Sequence, residues 1–124
     1  MKLENEKCSN CFLCAVRGII DALRTEKNLR FDFFIALCVI ALGLAFKIGP
    51  VEWMVCLISM GIMLSAELFN TAIEYFVDMY TREKNEMAGK IKDISAGAVF
   101  LLSINVAVVG FIIFIPKIYK IIFG

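Results

Sequence analysis

Residues 94–115, ISAGAVFLLSINVAVVGFIIFI, form a run of 22 residues without a single charged side chain. At about 1.5 Å per residue such a run spans the ~30 Å hydrocarbon core of a bilayer. No soluble domain of 124 residues could hide this segment and its counterparts, because small domains bury a limited fraction of their surface and 60% of the chain is apolar. Lipid is therefore the expected solvent, and in lipid an α-helix satisfies every backbone polar group by itself.

Two further runs extend the pattern. FFIALCVIALGLAF, residues 33–46, is apolar throughout and reaches about 16 residues when carried to Ile48, with Lys47 placed to snorkel. Gly49-Pro50 ends it. The next segment, Val51 to Tyr80, is about 45 Å long as one helix and so should project into water at one end. Its first half, Trp53 to Ala66, is apolar; its second half carries Glu67, Asn70, Glu74 and Asp78. Upstream, Phe12, Val16, Ile19, Ile20 and Leu23 recur on one helical face with Arg17, Asp21 and Arg24 opposite. That pattern fits an amphipathic helix at the membrane surface. The expected fold is all-α in a single 1–124 domain: a surface helix over about 8–30, spans over about 33–48, 51–80 with a cytoplasmic extension, and 94–115, the last ended by Pro116.

Charge placement sets the expected orientation. Six Lys/Arg lie in the first 32 residues and four in the 81–93 connection, against Lys47, Lys117 and Lys120 on the other side. The positive-inside rule puts the N-terminus and the 81–93 connection in the cytoplasm and the C-terminus outside a plasma membrane. A secretory signal is not expected, since a charged stretch precedes the first apolar run. The net charge of +1 offers nothing to nucleic acid.

Histidine is absent, so the commonest general base and zinc ligand are excluded. Cys38 and Cys56 sit in apolar runs as small hydrophobes. Cys8, Cys11 and Cys14 form C-x2-C-x2-C, which reads either as part of an iron–sulfur ligand run lacking its fourth member or as one side of a helix. No G-x-x-x-x-G-K-[ST] sequence is present, so a nucleotide would need another architecture.

The polar stripe carries the chemistry. At about 100° per residue Glu67, Asn70, Glu74 and Asp78 fall near 0°, 300°, 340° and 20°, on one face of one helix. Carboxylates in a spanning helix cost at least ~2.5 kcal/mol each near its centre and persist where they meet protein, water or metal. Asp78 alone also fits a solvated face; Glu67, which follows fourteen apolar residues, does not. A partly buried Glu67 suits proton abstraction near neutral pH. Glu74, two turns on, suits Mg2+, which prefers oxygen ligands and substrate phosphates. Glu26, before the first span, should lie at similar depth, unless it serves a surface salt bridge with Lys27 or Arg30. Lys90, Lys92 and Asp93 flank the third span. For Lys90 the positive-inside flank is the preferred reading.

AELFNTAIEYFVD, residues 66–78, resembles the signature of the prokaryotic diacylglycerol kinase family, E-x-x-N-[ST]-[SA]-[IVL]-E-x-x-V-D. The loop residues Glu83, Glu86, Gly89, Lys92 and Asp93 follow the family's E-x-x-E-x-x-G-x-x-K-D, and Glu26 matches its acid before the first span. The resemblance covers nearly the whole chain past residue 7. It implies an integral membrane kinase with a surface helix and three spans, working as a homotrimer whose sites are shared between subunits. It implies Glu67 as catalytic base, Glu26 and Glu74 as metal ligands that also meet ATP, and Glu83, Lys84, Asn85, Lys92 and Asp93 as ATP contacts. It further implies that Asn70, Asp78 and Arg30, with Glu67, shape the substrate site. Mg2+ and ATP are the implied cofactor and co-substrate. TEKNLRF around Glu26 and the K-D-x-x-A-G-A-V run resemble the branch taken to act on undecaprenol, with diacylglycerol as the alternative lipid. Cys8–Cys14 departs from the family pattern. A small ion-coupled transporter is the competing class; it needs a mid-membrane carboxylate but not Glu74, Asp78, Lys92 and Asp93 at the edge. A non-catalytic assembly subunit leaves the buried acids unexplained.

Overall fold

The computed structural model describes residues 10–124. Among them are four α-helices and no strand: α1 (Cys11–Thr25), α2 (Lys27–Phe46), α3 (Pro50–Tyr80) and α4 (Glu86–Phe123). The last three are long and apolar enough to cross a membrane. Their 20, 31 and 38 residues correspond to about 30, 46 and 57 Å. Many of their large apolar side chains, such as Leu44, Ile58, Leu101 and Ile112, are exposed on the single chain, as expected where lipid surrounds the protein.

Several boundaries differ from the sequence expectation: α2 opens at Lys27 rather than 33 and α4 at Glu86, inside the 81–93 connection, and two further ends shift as well. The surface helix does not run to residue 30. It stops at Thr25, Glu26 is extended (φ −106°, ψ 112°), and Lys27 opens α2. No Gly or Pro marks this joint. It is held instead by bonds that close the end of α1: Glu26 N–H donates to Ala22 O at 2.8 Å, and Arg30 Nη1 donates to Leu23 O and Arg24 O, each at 2.9 Å. At the other end of the chain, α4 continues through Pro116 to Phe123. A proline inside a helix removes one backbone bond, but an apolar setting leaves the backbone no better alternative than helix. Lys117 Nζ, 3.1 Å from Glu52 Oε2, ties the turn after Pro116 to α3. Tyr119 packs on Phe123 with ring centroids 4.9 Å apart.

The α2–α3 turn is closely packed. Lys47 takes the left-handed conformation (φ 53°, ψ 53°), and Ile48 N–H reaches back to Gly43 O at 3.1 Å, a helix-terminating pattern. Pro50 opens α3, where it lacks no needed donor, and Glu52 accepts from Gly49 N–H at 3.1 Å. Ala36, Ile48, Cys56, Met60, Ile113 and Phe114 form the buried core here, with Trp53 and Phe46 against it. Gly43 faces the Trp53 ring so closely that a Cβ would stand 2.7 Å from Cη2. From this turn α3 and α4 run antiparallel, packed along most of their length. They carry the polar stripe to the opposite end of the molecule.

Candidate active site

The helical period places Glu67 and Thr71 on the packed face of α3, where they are 6% and 4% exposed. Glu67 is thus covered within its own chain. The Thr71 hydroxyl donates to Glu67 O at 3.0 Å, which satisfies it inside the helix. Asn70 Nδ2 donates to Glu74 Oε1 at 3.5 Å. A carboxylate only accepts, so the amide must turn its nitrogen to Glu74. Its oxygen, Oδ1, is then left buried with no partner among the described residues. An orphaned acceptor costs about 1–3 kcal/mol, and such groups in folded proteins call for a ligand, ion or water.

Glu67, Asn70 and Glu74 line one cavity of about 350 Å³ together with Asn28 and Asp32 of α2 and Val99 and Ser103 of α4. The Asp32 carboxyl lies within hydrogen-bonding reach of Glu67. The Glu26 and Glu74 carboxylates are close enough for their charges to act on Glu67. Asp32 is the residue that sequence reasoning missed. It is the sole acid of α2, and an ionisable residue in a spanning helix is a functional candidate by default. Its partnership with Glu67 is a cross-helix contact that no periodicity encodes.

Phe31, Asp32, Met63 and Ser103 also line a second hollow of about 300 Å³, which runs on between Ile35, Ala36, Val39, Met60, Leu64 and Val106. Ser103 keeps its hydroxyl occupied by donating to Val99 O at 2.9 Å. An acidic cavity therefore continues into an apolar groove, with Asp32 at the junction.

A third hollow, about 480 Å³, lies where α3 passes into α4 and gathers Asp78, Glu83, Lys84, Asn85, Gly89 and Lys92. Lys92 Nζ is 2.7 Å from Asp78 Oδ1. Asn85 caps α4 by accepting from Ala88 N–H at 3.1 Å, and Glu83 N–H donates to Thr81 Oγ1 at 3.2 Å. Glu74 and Asp78, one turn apart, set the acidic cavity and this hollow about 6 Å from each other along α3. The structure thus brings Glu67, Asn70 and Glu74 together, and separately Asp78, Glu83, Lys84, Asn85 and Lys92. Asp93 is exposed outside the third hollow. Arg30 is engaged at the α1 terminus, and Glu26 stands at the joint beside the cavity rather than in its wall.

No cluster of three or more Cys, Asp or Glu able to hold a metal alone occurs among the described residues. Mg2+ takes one or two carboxylates and leaves the rest to phosphate and water. The carboxylate oxygens of Glu26 and Glu74 are donors of the kind that ion takes. Cys8 lies outside the described residues, and Cys11 is free and exposed.

Three spanning helices, a cavity of carboxylates and an adjoining hollow lined by both lysines and acids define a small multi-pass membrane protein with its chemistry at one end of the bundle. The chain belongs to the prokaryotic diacylglycerol kinase family, which it matches over residues 13–114. It is 39% identical over 106 residues to the undecaprenol kinase of Bacillus subtilis (strain 168), covering 86% of each protein. It is 30% identical over 106 residues to the diacylglycerol kinase of a Synechocystis species, covering 85% of this chain and 61% of that one. With the diacylglycerol kinase of Haemophilus influenzae the identity is 29% over 95 residues, covering 77% of this chain and 80% of the relative. It is accordingly a membrane lipid kinase, a phosphotransferase with ATP as co-substrate and a lipid alcohol as acceptor.

Proposed function

We propose that the protein phosphorylates undecaprenol to undecaprenyl phosphate with Mg-ATP at the cytoplasmic margin of the plasma membrane. The observation that carries this is the continuity of the Glu67–Asn70–Glu74 cavity with an apolar groove at Asp32. One site offers acid–base groups to a hydroxyl and a slot to its hydrocarbon. The similarity to an undecaprenol kinase over 86% of the chain supports the choice of lipid.

In this reading the lipid tail lies in the groove and its hydroxyl passes Asp32 to reach Glu67. Glu67 accepts the hydroxyl proton as the oxygen attacks the γ-phosphorus, and the bond from that phosphorus to the ADP oxygen breaks. Phosphoryl transfer depends mainly on positioning and charge stabilisation. Lys92 of α4, paired with Asp78 one turn beyond Glu74, brings positive charge to the phosphates, and the Glu83–Asn85 segment with Asp93 contacts the nucleotide. Glu26 and Glu74 would hold Mg2+, with Asn70 shaping the cavity between Glu67 and Glu74 and Arg30 fixing the joint that carries Glu26. When bound, Mg2+ neutralises charge on the phosphate oxygens. The surplus of Lys/Arg in the N-terminal region and the 81–93 connection supports a cytoplasmic site and an outer C-terminus. Family membership supports a homotrimer with sites at subunit boundaries.

The test is a radiolabelled phosphate-transfer assay on purified protein in bilayer discs, with undecaprenol and diacylglycerol in parallel. A higher kcat/KM for undecaprenol is expected. Equal or greater efficiency on diacylglycerol would overturn the choice of lipid; transfer to neither would overturn the proposed activity.

A further inference from the structure

Thr25, the last residue of α1, and Tyr75 of α3 are fifty positions apart, yet their side-chain oxygens are 2.5 Å apart. The direction of the bond follows from the surroundings. Thr25 Oγ1 also lies 3.1 Å from Asp21 O and 3.4 Å from Ala22 O. Carbonyl oxygens only accept, and a threonine hydroxyl has a single proton. Thr25 therefore donates into its own helix and accepts from Tyr75, whose phenol is the donor.

The position of this bond gives it consequence. Thr25 immediately precedes Glu26, and Tyr75 immediately follows Glu74. Glu26 is an extended residue between two helices, and α2 begins there without a side-chain cap. The Arg30 bonds join α2 to the end of α1, which stiffens the joint but does not reach α3. The tyrosine bond runs from the joint to α3 itself, one residue from each carboxylate.

We propose that Thr25 and Tyr75 are positioning residues for the divalent cation: their hydrogen bond holds Glu26 against α3 at the separation that lets Glu26 and Glu74 act on one ion. This rests on the reading that those two glutamates hold the metal. Neither Thr25 nor Tyr75 is a catalytic residue. A bond of this kind contributes modestly, so its loss should weaken cation binding by roughly three- to tenfold.

The experiment compares wild type with Tyr75→Phe, Thr25→Ala, Thr25→Ser and the Tyr75→Phe/Thr25→Ala double variant, with Glu26→Gln and Glu74→Gln as references. Mn2+ binding is titrated by electron paramagnetic resonance on protein saturated with a non-hydrolysable ATP analogue, so the readout is independent of turnover. Amide exchange across residues 22–30 is followed in metal-free protein. Tyr75→Phe and Thr25→Ala should each raise the half-saturating Mn2+ concentration roughly three- to tenfold and speed exchange at 22–30. Thr25→Ser should behave as wild type, the double variant should be no worse than either single one, and KM for the lipid should not move. Unchanged Mn2+ binding in both single variants, with the two glutamate references shifted, overturns the latch and leaves the metal reading standing. Unchanged binding in the references as well overturns both.

Discussion

The two ends of the α3–α4 hairpin are built on opposite principles. At the α2–α3 turn every device closes space: Gly43 under the Trp53 ring, Phe46 beside Phe114 at 6.0 Å, Glu52 bonded to Gly49 and paired with Lys117. At the other end these two helices, with the start of α2, leave a 350 Å³ cavity of carboxylates, a 480 Å³ hollow and an orphaned amide oxygen. Packing that complete would leave no room for a substrate, and a site that open contributes little to folding. The difference teaches a division of labour: one end sets stability, the other carries chemistry.

That division is open to attack by substitution. The largest expected effect is Glu67→Gln, which keeps shape but removes the base; the transfer rate should fall by about 10²–10⁴ with the unfolding midpoint unchanged. Transfer near the wild-type rate in a single-turnover assay would end the base assignment. Gly43→Ala attacks the packed end. A Cβ 2.7 Å from Trp53 Cη2 and 3.1 Å from Ile48 Cδ1 should destabilise by about 1–3 kcal/mol. Unfolding in mild detergent should show it, while activity per folded molecule stays level. Glu74→Gln should raise the half-saturating Mg2+ concentration by about tenfold, or ~1.4 kcal/mol, and an unmoved Mg2+ titration would detach Glu74 from the metal. Lys117→Met should have the smallest consequence, a slight fall in the unfolding midpoint and none in activity. A loss of turnover there would show that the two ends are coupled after all.

The sequence made the packed spans and the stripe readable for one reason. Lipid forces helix, and a helix of known period arranges Glu67, Asn70 and Glu74 by arithmetic. What it hid depends on contacts between elements. The break at Glu26 has no glycine or proline to announce it and is held by Arg30 from the following helix. Pro116 signals a stop that the Lys117–Glu52 pair and the apolar setting override. Asp32 joins the acids only because α2 lies beside α3.

The hairpin carries one charge pair near each tip, Asp78–Lys92 and Glu52–Lys117. Twenty-five residues of α4 separate the two lysines, or about 38 Å of helix. That is longer than the ~30 Å oily layer and within the ~40–45 Å that includes headgroups. Sliding the molecule a single turn up or down, ~5.4 Å, drags one pair toward oil while lifting the other clear. The two pairs thus work like a ship's load lines, fixing the draught at which the protein floats and the level at which a lipid hydroxyl meets the nucleotide.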